Sequence, residues 1–272
     1  MEGARLRRVR VTAEVRSSDA VVKARRETAA ERVLREFGDG LPELRLLAFF
    51  DDHDWAEIKS PPPWGLGPEN RGFYTAIKKD TFRGNWNWPQ CMTNKIFGNT
   101  HWAADDERFF DHLIYLHGTT CADATGLVMT FSHELQHFAQ YGFRRELWAV
   151  GRLIHNLPKE IIDSFGLNWP DIPHEREARI VAKRAAIELC GSDAVKQYVE
   201  RKIREGNSTM EVEDWQFSLR LDPSITYDLA GETKRIFQRL KPHRQALEKI
   251  LQGFRSDSDY KDIDLSSYLD AP

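Results

Sequence analysis

The sequence contains few cysteines: three in 272 residues, none of them paired in a C-x-x-C motif. Cys91, Cys121 and Cys190 make an odd number, so a disulfide framework is not expected and a reducing compartment fits better. No apolar run follows the basic residues near Met1, as it would in a secretory signal. No stretch approaches the ~18 consecutive apolar residues of a membrane span. We therefore expect a cytoplasmic protein without membrane segments.

The sequence also lacks a global excess of basic residues. Its net charge is −3, from 39 Lys and Arg against 42 Asp and Glu, so nucleic acid is not an expected partner. A local basic surplus within residues 1–35 is interpreted as the solvated face of a helix. There is no internal repeat, and the length fits one large domain or two small ones.

The hydrophobic pattern predicts strands mainly in the first half of the chain and helices afterwards. Alternating or continuous apolar residues indicate strands at residues 5–16, 44–50, 72–77 and 112–117. Helical spacing indicates helices at residues 19–37, 124–141, 145–156, 174–189, 228–240 and 243–254, and Gly142 is the expected stop of the second. This order predicts an α+β protein, with a small mixed or antiparallel sheet and a mostly helical C-terminal part.

One short motif carries most of the chemical information: His133-Glu134-Leu135-Gln136-His137, which reads HExxH. Residues four apart lie on the same face of a helix, so His133 and His137 can both reach one metal ion at ~2.0–2.1 Å. Glu134 lies about 100° around the helix from His133. That offset keeps its carboxylate out of the ligand set but close enough to act as a general base.

A third ligand is needed, because catalytic zinc sites use three protein ligands and an open position. No Gly and His follow His137 closely, so the ligand must come from farther along the chain. Glu175, near the start of the next long helix, is the best candidate, with Ala178 and Ala182 on the same face to allow close helix packing. Glu177, His155 and His174 are the alternatives.

The motif and the downstream helix together resemble those of compact gluzincin-type metallopeptidases, including small intracellular HExxH proteins. The resemblance covers residues 112–190 and rests on His133-Glu134-x-x-His137 and Glu175-x-x-Ala178. It implies a zincin-like fold, Zn²⁺ held by His133, His137 and Glu175, and Glu134 as the catalytic residue. The expected organisation is a metallopeptidase domain at residues 1–205, a helical extension at 206–255 and an acidic flexible tail at 256–272.

The expected reaction is therefore hydrolysis of a peptide bond in a peptide or protein substrate. We expect the strand at residues 112–117 to be an edge strand on which an extended substrate pairs. Candidates for stabilising the transition state are Tyr141, His155, His174 and Arg179. Two alternatives stay open: a zinc-binding regulatory protein with little proteolysis, and a purely structural metal site.

Overall fold

A computed structural model describes the chain over residues 11–51, 72–76, 112–116 and 118–256, without residues 165, 167, 207, 226 and 227, and at positions 260, 262, 263 and 265. Cys91, residues 5–10 of the first expected strand, and the strand ends expected at residues 77 and 117 lie outside these residues. No helix in the described ranges combines the length and apolar character needed to cross a bilayer.

Within the ranges that the structure describes, four strands form one mixed sheet. They are β1 (Val11–Arg16), β2 (Leu46–Asp51), β3 (Gly72–Ala76) and β4 (His112–Leu116). The spatial order is β1-β2-β4-β3, in which β1, β2 and β4 are parallel and β3 runs antiparallel to β4. The described part of β4 is buried along its whole length. This agrees with its apolar sequence, since a strand covered on both faces needs no polar alternation.

Helix α1 (Ala20–Phe37) connects the parallel strands β1 and β2. Asp19 begins the helix, because its carboxylate accepts hydrogen bonds from the backbone N–H groups of Val21 (2.8 Å) and Val22 (3.1 Å). Gly38 ends it with φ +48°, a conformation that favours glycine. The predicted helix at residues 19–37 is thus confirmed, together with its stop.

The remaining α-helices of the described chain follow β4. They are α2 (Gly118–Cys121), α3 (Ala124–Phe143), α4 (Arg145–His155), α5 (Lys159–Ser164), α6 (Pro173–Cys190), α7 (Ser192–Glu205), α8 (Thr209–Arg220), α9 (Leu229–Leu240) and α10 (Arg244–Ser256). A small sheet followed by many helices confirms the α+β class. The sequence pattern does not predict the short helices α2 and α5 or the longer helices α7 and α8.

The described side chains form two hydrophobic cores. The first lies between the sheet and helices α1 and α3 and extends to α7 and α8, and its large members include Phe50, Phe131, Phe138 and Trp215. The second lies between α4, α9 and α10, and its members include Val150, Leu153, Phe237 and Leu247. Leu265, within the segment expected to be a flexible tail, is buried in the second core. The domain limits stay a prediction.

Two sequence-based expectations about the site region are wrong. The strand at residues 112–117 is not an edge strand, because β4 lies between β2 and β3. Gly142 does not end the helix that carries the HExxH motif, because α3 continues to Phe143 and is capped at Arg144. Gly142 has a different role: a Cβ at this position would lie 2.4 Å from Cβ of Pro42. The helix contacts a rigid proline ring there, and only glycine fits.

We predict that Gly142→Ala lowers the free energy of unfolding by about 1–3 kcal/mol, as expected for overpacking, although alanine is the better helix former. Gly253→Ala in α10 is the matched control, because a Cβ there meets nothing within 4 Å. That variant should gain up to about 1 kcal/mol. Urea denaturation of both measures the difference. Equal stabilisation by the two substitutions would show that Pro42 does not restrict Gly142.

Candidate metal centre

The helix that carries the HExxH motif is fixed at its N-terminus. The Asp123 carboxylate caps α3 by accepting hydrogen bonds from the N–H groups of Thr125 (2.8 Å) and Gly126 (3.2 Å). It also pairs with Arg201 on α7. Burial would raise the pKa of Asp123, but these hydrogen bonds and the Arg201 charge hold it below its usual value. Beyond the first turn, most side chains of α3 are buried, so the motif lies inside the protein.

The neighbouring helix α6 brings the third candidate ligand. It begins at Pro173, a residue suited to the first turn of a helix, and Glu175 follows within that turn. Helices α3 and α6 pack directly on each other. Ala178 and Ala182 are buried, as predicted, and their small side chains favour a close approach of the two helices.

His133, His137 and Glu175 converge, as expected from the sequence. The Nε2 atoms of the two histidines are 3.0 Å apart. The Glu175 carboxylate reaches both, at 3.3 Å from His133 Nε2 (through Oε2) and 3.3 Å from His137 Nε2 (through Oε1). Three ligand atoms about 2.05 Å from one ion at tetrahedral angles would be separated by roughly 3.3 Å. The cluster therefore has the size and the donor atoms to hold a metal ion.

The charges of the cluster are strongly coupled. Burial alone would raise the pKa of Glu175, but the charge of His137 and hydrogen bonds from both histidines hold it well below its usual value. Burial lowers the pKa of His133 to about 4. Burial also acts to lower the pKa of His137, but the negative charge of Glu175 and its hydrogen bond have the larger effect. The pKa of His137 is therefore raised. The two imidazole groups thus stabilise the buried negative charge of Glu175. A bound metal cation can stabilise that charge in the same way.

Glu134 lies beside this cluster without belonging to it. Its side chain is buried, and desolvation raises its pKa to about 7. The backbone of Tyr74 on β3 forms a hydrogen bond with this carboxylate, which acts in the opposite direction. Glu134 therefore joins the motif helix to strand β3, and its carboxyl group titrates in the range suited to a general base.

The alternative third ligands are not part of the cluster of His133, His137 and Glu175. Glu177 forms an ion pair with Arg144 and accepts a hydrogen bond from Gln140. His155 is exposed, with its ring 4.7 Å from that of Trp169. His174 is buried and its Nε2 lies 3.5 Å from Glu175 Oε1, yet it does not join the compact ligand set. Among the described residues the geometry thus favours Glu175.

The four candidates for transition-state stabilisation separate into two pairs. His174 and Arg179 lie against the Glu175 carboxylate, with an Arg179 Nη2 to Glu175 Oε2 distance of 3.8 Å. Arg179 also pairs with Asp214 at 2.9 Å. The Tyr141 ring contacts His112 at 4.9 Å between centroids, and His155 contacts Trp169. The first pair therefore contacts the candidate ligand Glu175 directly.

Three further residues surround the cluster that were not expected there from the sequence: Trp148, Tyr74 and Gln140. Trp148 on α4 places its ring 5.6 Å from His137 and 5.4 Å from Tyr74. Gln140 accepts a hydrogen bond from His137 through its side-chain oxygen. Only Gln140 had a signal in the sequence, because residues three apart on a helix are neighbours. Trp148 and Tyr74 reach the site through tertiary packing.

Comparisons of the chain with protein-family models, with curated proteins and with solved structures gave no match. The case for a function therefore depends on the geometry and chemistry of the cluster.

We predict that the protein binds one divalent cation per chain and that Glu175→Gln weakens this binding by more than about 100-fold. Removing a direct metal ligand should weaken metal binding more than removing a hydrogen-bond partner of a ligand, which costs about 10–100-fold in affinity. Glu177→Gln, two residues away on the same helix, should cost less than about 10-fold. Titration with Co²⁺ or Zn²⁺ against a competing chelator measures both. The reverse order of effects would assign the ligand to Glu177 instead.

Proposed function

We propose that this protein is a zinc-dependent metallopeptidase, in which His133, His137 and Glu175 hold the metal and Glu134 is the general base. The observation that carries the proposal is the convergence of these three side chains, with a buried carboxylate of raised pKa beside them. Under this proposal the mixed sheet and the helix pair α3–α6 correspond to a zincin-like arrangement.

The donor set suits zinc. Two imidazole nitrogens and one carboxylate are ligands that Zn²⁺ commonly takes in catalytic sites. When bound, zinc would supply Lewis acidity, which polarises a carbonyl oxygen and lowers the pKa of water. No fourth His, Cys, Asp or Glu of the described ranges joins the set. This favours a catalytic over a structural site, because structural zinc is closed by four protein ligands.

Glu134 would perform the proton transfers. A carboxylate at this position can accept a proton from the water that attacks the peptide carbonyl and later donate it to the leaving amine. A pKa raised to about 7 by burial makes both steps accessible near neutral pH. The hydrogen bond from the Tyr74 backbone orients the carboxylate on the side of the helix that faces β3.

Strand β3 replaces β4 as the proposed docking strand for the substrate. It is the last strand of the described sheet on this side, and its backbone at Tyr74 reaches Glu134. An extended peptide that pairs with β3 on the side opposite β4 would therefore run past the proposed general base and the three proposed metal ligands. Trp148 and Tyr74 would line this path with aromatic surface.

We predict that Glu134→Gln keeps the metal and lowers peptide turnover by about 10²–10⁴-fold, the usual contribution of a general base. The amide has the size of the carboxylate but cannot accept the proton. Metal content by elemental analysis and cleavage of a peptide library measure the two effects. Glu188→Gln, an exposed carboxylate on α6, is the control and should change neither.

Two results would contradict the proposal. Unchanged turnover in Glu134→Gln would exclude this residue as the base. No turnover by the zinc-loaded protein on any peptide would favour the alternative, a zinc-binding regulatory or partner-binding protein.

Pairing of the substrate with β3 can be tested separately from the catalytic role of Glu134. Successive backbone N–H groups of an extended peptide point to opposite sides, so only every second one can pair with β3. We predict that N-methylation of a cleaved peptide, one residue at a time on either side of the cleaved bond, abolishes turnover at alternating positions. Kinetics on the methylated series measure this pattern. If the loss of turnover does not alternate from one methylated residue to the next, the substrate does not pair with a strand.

A further inference from the structure

The side chain of Gln140 is completely buried behind His137 and makes three hydrogen bonds. Its Oε1 lies 2.9 Å from His137 Nδ1. Its Nε2 donates to the backbone carbonyl of His174 at 2.9 Å and to Glu177 Oε2 at 2.9 Å. Helix α3 thereby contacts the first turn of α6, where Glu175 follows His174 directly.

The orientation of the Gln140 amide follows from its partners. The carbonyl oxygen of His174 and the Glu177 carboxylate, which is paired with Arg144, accept hydrogen bonds and cannot donate them. The NH₂ group of Gln140 must therefore face both of them, which leaves the amide oxygen towards His137. That oxygen accepts only, so Nδ1 of His137 must carry a proton.

A proton on Nδ1 decides which imidazole nitrogen is available to a metal. In the neutral ring the other nitrogen, Nε2, then has the free electron pair. Nε2 is the atom that lies 3.0 Å from His133 Nε2 and 3.3 Å from Glu175 Oε1. The hydrogen bond from His137 to Gln140 thus selects the neutral tautomer of His137 in which Nε2 can bind a metal ion.

We propose that Gln140 is a positioning residue: it fixes the tautomer and ring orientation of His137 and holds the Glu175 turn of α6 against α3. This inference rests on the proposed metal site. Glu177, considered above as a ligand, acts in this arrangement as the partner that orients the Gln140 amide, and Arg144 holds Glu177 in place.

We predict that Gln140→Met weakens zinc binding by about 10–100-fold, the usual cost of losing a hydrogen-bond partner behind a metal ligand. Methionine has a similar length but does not replace the three hydrogen bonds. Gln136→Met is the matched control: it makes the same change one turn earlier on α3, at a partly exposed position. That variant should bind zinc as the unchanged protein does.

A reciprocal exchange separates positioning from mere packing. In Gln140→Glu, the new carboxylate can still accept from His137, but it faces the Glu177 carboxylate without a proton between them. Adding Glu177→Gln returns an N–H donor to that contact. We expect Q140E to bind zinc more weakly than the unchanged chain, and the double variant Q140E/E177Q to recover about 10-fold relative to Q140E.

The experiment uses the full chain, with zinc titrated against a competing chelator. The tautomer of His137 is read by imidazole ¹⁵N chemical shifts in the metal-free protein, at a pH above the raised pKa of His137, where its ring is neutral. The expected result is an Nδ1–H tautomer in the unchanged chain and in Gln136→Met, and its loss in Gln140→Met. Unchanged zinc affinity and an unchanged tautomer in Gln140→Met would overturn the inference, as would a double variant no better than Q140E.

The two proposals can fail separately. If even the unchanged chain does not bind zinc, the proposed metallopeptidase is wrong, while the ¹⁵N shifts of the metal-free proteins still test the role of Gln140. If Gln140→Met does not fold, circular dichroism will show it. The comparison of Q140E with Q140E/E177Q then decides, because both keep a side chain of the original size.

Discussion

The buried negative charge of Glu175 is the constraint on which the site depends. A carboxylate at the contact of two helices is stable there only when positive charge or several hydrogen-bond donors compensate for its lost hydration. His133 and His137 supply donors within 3.3 Å. The same arrangement, two nitrogens and a carboxylate directed at one point, is what a divalent metal ion requires. The compensation of Glu175 and the capacity of the cluster to hold a metal ion thus have one physical origin.

The site takes its groups from three parts of the fold, and each part depends on the others. Helix α3 supplies the histidines and Glu134, α6 supplies Glu175, and β3 meets Glu134 through the backbone of Tyr74. Gln140 joins α3 to α6 behind the ligands. A shift of any one of these elements would therefore change the distances between the two histidines and Glu175, and also the surroundings of Glu134.

The surroundings are largely apolar and aromatic, and this determines the chemistry of the ionisable groups. Trp148 packs on His137, and Tyr74 packs on both Trp148 and Phe138. Removing water weakens the solvation of charge, which raises the pKa of Glu134 to about 7 and lowers that of His133 to about 4. A neutral His133 is ready to bind a metal, and a carboxyl group that titrates near 7 is ready to exchange protons.

Local periodicity was enough to predict the α+β class, the helices around the motif, and the shared face of His133 and His137. The amino-acid pattern also predicted that Glu175 lies beside the two histidines, because small residues on the same face of its helix favour close packing against the motif helix. Tertiary structure alone decided which strand lies at the edge, why Gly142 is needed beside Pro42, and which groups surround the ligands. These features depend on contacts between residues far apart in the chain, such as Gln140 with Glu177 or Tyr74 with Glu134. Local patterns carry no information about such pairs, since strand order and helix docking are set by how the whole core packs.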